Sequence, residues 1–152
     1  MELRPYTQAC CDDLARLFYD TVHRVNAVHY TQEQLAAWAP GIPDGVQWNN
    51  SFLAHSTLVA WQDGKVVGFA DMDDTGYLDR LYVHADHQRQ GIATALCDAL
   101  EAQLPGYTFT THASITARPF FENRGYVVLR EQQVQRRGVW LTNYVMQKTC
   151  IP

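Results

Sequence analysis

The stretch Leu81-Tyr82-Val83-His84-Ala85-Asp86-His87-Gln88-Arg89-Gln90-Gly91-Ile92-Ala93 decides how the chain is read. An apolar strand ends at Val83, a polar loop follows, and a helix opens at Gly91. The first amides of a helix have no partner within it, and their aligned dipoles place about half a positive charge at that end. A strand–loop–helix junction of this kind binds phosphate. Gly91 lets the backbone approach a ligand closely, Ala93 leaves the approach clear, and Arg89 can add a charged contact. The Gly-Lys-Ser/Thr of a nucleotide P-loop is absent, and so is the G-x-G-x-x-G of a dinucleotide fold. Local physics alone therefore gives an anion site, with a plain connection bearing one convenient glycine as the structural alternative.

Outward from this junction the chain alternates helix and strand signals. Leu3 belongs to a short first strand. Leu14, Leu17, Phe18, Thr21, Val22 and Val25 form a helical stripe, with Asp12 or Asp13 expected to cap it. Thr31-Gln32-Glu33-Gln34 has capping-box chemistry for a short helix ending at Trp38. Residues 40–50, rich in Pro, Gly and Asn, read as a loop. Asp63-Gly64 between apolar runs predicts a hairpin, and Asp73 to Gly76 a second turn. After the helix at 91–104 come a strand at 107–113, a helix at 116–123 stopped by Gly125, and a hairpin of strands 126–134 and 139–146. Arg136-Arg137-Gly138 forms its tip, read as an exposed turn. The order β-α-α-β-β-β-α-β-α-β-β predicts an α/β fold, a mixed sheet with helices on its faces.

The 152 residues, 47% hydrophobic, fit one domain over 1–152. A net charge of −4 argues against a nucleic-acid binder and mildly favours a cationic ligand. Cysteines 10, 11, 97 and 150 form no C-x-x-C pair, and six scattered histidines form no H-x-x-x-H, so neither a disulfide framework nor a metal is expected. No membrane span or secretory segment is read, which places the chain in the cytoplasm.

Gln88-Arg89-Gln90-Gly91-Ile92-Ala93 resembles the Q/R-x-x-G-x-G/A motif of the GNAT superfamily of N-acetyltransferases. The flanking Leu-Tyr-Val and Ile-Ala-Thr-Ala-Leu are similar to that family's strand 4 and helix 3, and the likeness in element order runs from Leu3 to about Gln147. The resemblance implies a mostly antiparallel sheet of six or seven strands, splayed between strands 4 and 5. It implies acetyl-CoA as co-substrate, its pyrophosphate on residues 88–94 (Gln88, Arg89, Gln90, Gly91, Ile92, Ala93, Thr94) and its pantetheine arm along Leu81, Tyr82 and Val83. The Leu81 amide would face the thioester oxygen, where one donor is worth about 3–4 kcal/mol in well-measured hydrolases. A homodimer is also compatible with the family.

Two positions depart from the family pattern. Ser114 stands where an Asn commonly binds pantetheine, and Phe121 where a Tyr commonly protonates the departing thiolate. Both are carried over as contacts only. A thiol pKa near 8.5 makes thiolate a fair leaving group without an acid. Alternation along the strand places Tyr77, Asp79, Leu81 and Val83 on one face. Asp79 is a candidate base, with a salt bridge as its structural alternative, and Tyr77 occupies a position where relatives carry a carboxylate. Asp71 and Asp73 are further candidates, with turn chemistry as the alternative for Asp73 and for Asp74. His29, Tyr30 and Trp38 are candidates for the acceptor pocket, where an aromatic ring holds an amine by cation–π contact; core packing is the alternative for Tyr30 and Trp38. The expected activity is transfer of an acetyl group to a primary amine by direct attack. The alternative is a non-catalytic acyl-CoA sensor or interaction module of the same fold.

Overall fold

The computed structural model describes residues 1–149; Cys150 lies outside them. Strands β1 (Glu2–Pro5), β2 (Ser56–Gln62), β3 (Lys65–Met72), β4 (Tyr77–Val83), β5 (Thr108–Ser114), β6 (Val127–Arg136) and β7 (Val139–Thr149) form one sheet in the order β1-β2-β3-β4-β5-β7-β6. Every neighbouring pair is antiparallel except β4–β5, which is parallel. The mixed, mostly antiparallel sheet is the one expected. Asp63 and Gly64 both have positive φ (52° and 76°) and close a two-residue β2–β3 loop, the turn whose twist matches the strands it joins.

Helices cover both faces. On one lie α1 (Cys11–Arg24), α2 (Gln32–Trp38) and α3 (Gly45–Ala54). Leu14, Leu17, Phe18 and Val22 of α1 are buried with Leu35, Phe52, Val59 and Phe69. Each such side chain contributes about 1.5–3 kcal/mol by leaving water. On the other face lie α4 (Ile92–Ala102) and α5 (Arg118–Asn123). Ile92, Leu96 and Leu100 bury against Val67, Ala70, Met72, Leu78 and Phe109. Gly68 permits this approach, since a Cβ there would lie 3.0 Å from Ile92 Cγ2 and 3.2 Å from the Tyr82 carbonyl oxygen.

The capping box at Thr31 and Gln34 forms as read. Three expectations are corrected. Residues 45–54 are helix rather than loop, because Asp44 Oδ1 accepts from the Val46 and Gln47 amides (2.8 and 3.3 Å) and starts α3. Helix α1 begins one residue before Asp12, so Asp12 and Asp13 face the helix dipole from inside its first turn and do not cap it. Leu104 follows the end of α4. The hairpin tip at Arg136-Arg137-Gly138 is exposed as read, and Arg137 Nη1 donates to the Ala37 carbonyl (2.9 Å), tying it to α2.

Candidate active site

Strands β4 and β5 pair only at Tyr77–Thr110 and Leu78–Thr111; beyond Leu78 they diverge, giving the expected splay. The β3–β4 register and the bond from the His84 amide to the Val67 carbonyl (2.8 Å) make 80, 82 and 84 the residues bonded to β3. The amides of Leu81 and Val83 therefore point into the gap. There the Val83 carbonyl accepts from Thr21 Oγ1 (3.2 Å) and Gln88 Nε2 (2.7 Å).

The loop that enters α4 is held by its own side chains. Gln88 Nε2 reaches back to the end of β4, and His84 Nδ1 accepts the Asp86 amide (3.0 Å). Arg89 and Gly91 both take positive φ (61° and 82°), and Gly91 is the residue from which α4 departs. Alternating left-handed residues turn successive amides inward as an anion-binding concavity. A Cβ on Gly91 would meet no atom within 4 Å and would project into open space. A cavity of about 730 Å³ runs from this loop into the splay. Leu81, Tyr82, Val83, Gln88, Arg89, Gly91, Ile92, Ala93, Thr94, Ser114 and Phe121 line it, with His29 and Trp38; Gln90 does not. Ile92 and Phe121 are almost wholly buried and present only an edge to it. Ser114 Oγ caps the next turn by accepting the Ala117 amide (3.0 Å).

A second cavity of about 330 Å³ lies on the α1–α3 side of β4, walled by Phe18, Tyr30, Trp38, Trp48, Tyr77 and Tyr82. Trp38, Asp79, Tyr82, His112 and Ser114 line both cavities and mark where they meet.

Asp79 stands at this junction because of a β-bulge. Asp71 pairs with Arg80 and Met72 with Leu78, so Asp79 is the extra residue. The bulge breaks the expected alternation: Leu81 and Val83 face α4, whereas Tyr77 turns to the other face and lines the second cavity with Arg80 and Tyr82. Asp79 makes no ion pair among the described residues, so the salt-bridge alternative does not hold. Its carboxylate reaches solvent through the cavity mouths, yet the walls withdraw enough water to raise its pKa. The Asp71 carboxylate raises it further, against the opposing charges of Arg80 and His55. Burial beside Asp79 and Asp73 pushes the Tyr77 hydroxyl up to about 12.

Asp71, fully buried, is engaged elsewhere. It accepts from Arg80 Nε (3.0 Å) and Nη2 (2.5 Å) and pairs with His55 Nδ1 (2.7 Å). Arg80 stacks over Phe52 and Trp48 (4.1 and 5.0 Å to the ring centres). His55, Asp71 and Asp79 offer ligand atoms within 4.8 Å of one another. Both Asp71 oxygens already serve charged or polar donors, and a cation there would meet the Arg80 guanidinium, so the set does not fit a metal. Asp73 closes its turn through Oδ1, which accepts from the Thr75 and Tyr77 amides (2.9 and 3.1 Å).

Of the acceptor candidates, Tyr30 is structural: its buried hydroxyl donates to the Thr142 carbonyl (2.7 Å) and accepts the Ile115 amide (2.9 Å). Trp38 stands edge-on to it and opens to both cavities. His29 Nδ1 lies 2.9 Å from Thr116 Oγ1, on the first cavity only. His112 was not singled out by sequence reasoning. Alternation along β5 is the signal that finds it, because Phe109, Thr111 and Ala113 are buried and His112 and Ser114 point the other way. Partial burial, with Arg130 and Arg136 nearby, lowers the His112 pKa against the opposing charge of Asp79.

A splayed sheet with an amide-lined loop at the mouth of the gap is the arrangement that the sequence resemblance to N-acetyltransferases implies. The family model for the acetyltransferase (GNAT) domain matches residues 26–148. The chain is 33% identical over 150 residues to the uncharacterized N-acetyltransferase YafP of Escherichia coli (strain K12), covering 97% of this chain and 95% of that one. It is similar to the crystal structure of a GCN5-related N-acetyltransferase from Rhodopseudomonas palustris (TM-score 0.92, 35% identity, 98% of this chain and 95% of that one). The PaiA N-acetyltransferase of Thermoplasma acidophilum, solved with coenzyme A, shares the fold (TM-score 0.79, 16% identity, 98% of each chain). The chain belongs to the GNAT family of N-acetyltransferases.

Proposed function

We propose that the protein transfers the acetyl group of acetyl-CoA to a primary amine by direct attack within a ternary complex. The observation that carries this is the meeting of two cavities at Asp79, one lined by the open Leu81 and Val83 backbone and the other by aromatic rings. Acetyl-CoA supplies an activated acyl carbon when bound.

The amides of residues 88–94 hold its pyrophosphate, and the unpaired backbone of Leu81 to Val83 aligns its pantetheine arm. Ser114 and Phe121 flank that arm. The Leu81 amide donates to the thioester oxygen, stabilising the negative charge that develops there. Asp79 takes a proton from the attacking amine; a raised pKa makes it a better base. The new bond joins the amine nitrogen to the acetyl carbon, the carbon–sulfur bond breaks, and sulfur leaves with the electron pair as thiolate. Phe121 has no proton to give, and a thiol pKa near 8.5 removes the need for one. Holding both reactants at one junction replaces a bimolecular encounter. The buried free thiols of Cys10, Cys11 and Cys97 suit the reducing cytoplasm.

Calorimetric titration with acetyl-CoA, followed by free-thiol release over an amine panel, tests the reading. Binding at about micromolar Kd is expected, with turnover of at least one amine. The Gly91→Val variant, strained at positive φ and carrying methyls into the cavity, is expected to lose binding while keeping a cooperative thermal transition. Binding without turnover of any amine supports a non-catalytic acyl-CoA sensor instead. Absence of binding at millimolar acetyl-CoA refutes both.

A further inference from the structure

The charges around the second cavity do not cancel in place. Arg80 is neutralised by Asp71, on which it forms a two-pronged pair. Two opposite charges remain without a partner among the described residues: Asp79 at the junction and Arg136 at the rim. Arg136 Nη1 donates only to the carbonyl of Gln135 (3.2 Å). Its charge is near enough to Tyr77 and His112 to favour the deprotonated form of each. Trp38, Tyr77 and Tyr82 line the same cavity. Arg80 also lines the cavity, and its Nη1 has no hydrogen-bond partner among the described residues. Within the same lining, Asn143 leaves Oδ1 without a donor.

We propose that this cavity takes a zwitterionic acceptor, a primary amine with a carboxylate close beside it and an aromatic body, which is the chemistry of an aromatic α-amino acid. The amine lies at Asp79, the carboxylate on Arg136 with Arg80 Nη1 behind it, and the ring among Trp38, Trp48 and Tyr82. The assignment rests on the N-acetyltransferase reading above and narrows it. A polyamine would bring a second cation toward Arg136. A peptide N-terminus would bring an uncharged carbonyl where a guanidinium waits. Guanidinium–carboxylate pairing is geometrically selective, so the preference should be readable in KM.

The test compares L-phenylalanine with phenethylamine, the same skeleton without the carboxylate, in free-thiol release by the full chain with acetyl-CoA. Expected is a kcat/KM at least about tenfold higher for phenylalanine, the size of one charge-assisted hydrogen bond. Arg136→Gln should raise KM for phenylalanine and bring the ratio to within about twofold, and Arg136→Lys should restore part of it. A preference for phenethylamine, or a ratio unmoved by Arg136→Gln, overturns the proposal. Calorimetric binding of acetyl-CoA without thiol release from phenylalanine overturns the acceptor assignment and leaves the cofactor reading standing. Loss of acetyl-CoA binding itself removes both.

Discussion

Asp79 is the residue on which structure and chemistry pull in opposite directions. Burial and the neighbouring Asp71 carboxylate raise its pKa in the folded chain. Between the unfolded value and the raised one, the folded state binds more protons than the unfolded state, so stability falls as pH rises through that window. The ionised carboxylate therefore costs stability at neutral pH, as groups kept for function often do. Asp79→Asn is expected to melt no lower than the parent at pH 7 while losing about 10²-fold or more in rate near pH 6.5. Without the base, the rate should climb with pH until the amine deprotonates by itself, near pH 8 for a peptide α-amine and higher for an amine beside a free carboxylate, and the deficit should shrink there. An unchanged pH–rate curve would remove Asp79 as the base; a lower melting temperature would contradict its raised pKa.

Among the secondary elements, α3 is both the one that sequence reading missed and the one that walls the second cavity, the proposed acceptor site. Its sequence looks like loop because Pro40, Gly41, Pro43 and Gly45 crowd its approach. One carboxylate outweighs them, since Asp44 caps two amides and the helix follows. It carries Trp48, Ser51 and Phe52, which grip Arg80 through stacking and the Arg80 Nη2–Ser51 Oγ bond (2.9 Å). Asp44→Ala should cost about 1 kcal/mol and lower Tm by about 2–4 °C. It should weaken acceptor KM more than acetyl-CoA Kd, because α3 touches only the second cavity. Equal loss of both would mean that α3 supports the fold generally rather than the acceptor wall. The turns at Asp63-Gly64 and Thr31–Gln34 were legible because their chemistry is local. The bulge at Asp79 was not, because it appears only when β3 and β4 are set side by side, and it reversed the face assigned to Tyr77. The Arg80–Asp71–His55 pairing and the placement of His112 depend likewise on contacts between strands. The 88–93 loop was readable because one continuous segment supplies both its amides and its glycine.

For the whole molecule, the seam between β4 and β5 is the place where the proposed ligand would bear on the fold. The two halves of the sheet share only two paired positions there. The crossing helix α4 packs on β2, β3 and β4, and the far half is held chiefly by the long β5–β7–β6 pairing. On the proposed reading, a pantetheine arm bonded along the open edge of β4 would supply the rungs that β5 withholds. Two consequences can be read separately. At a hundredfold excess over Kd, acetyl-CoA should add about 2.7 kcal/mol to the folded state, or about 5–10 °C in Tm for a chain of this size. Hydrogen exchange should localise the effect. The Leu81 and Val83 amides, open to the splay, should exchange quickly in the free protein and become protected when acetyl-CoA is bound. The Tyr82 amide, bonded to β3, should be protected in both states. Stabilisation with no change at Leu81 and Val83 would mean that the ligand binds without entering the seam. Protection of Leu81 and Val83 before ligand is added would mean that the seam is already closed, and the oxyanion role of the Leu81 amide would fall with it.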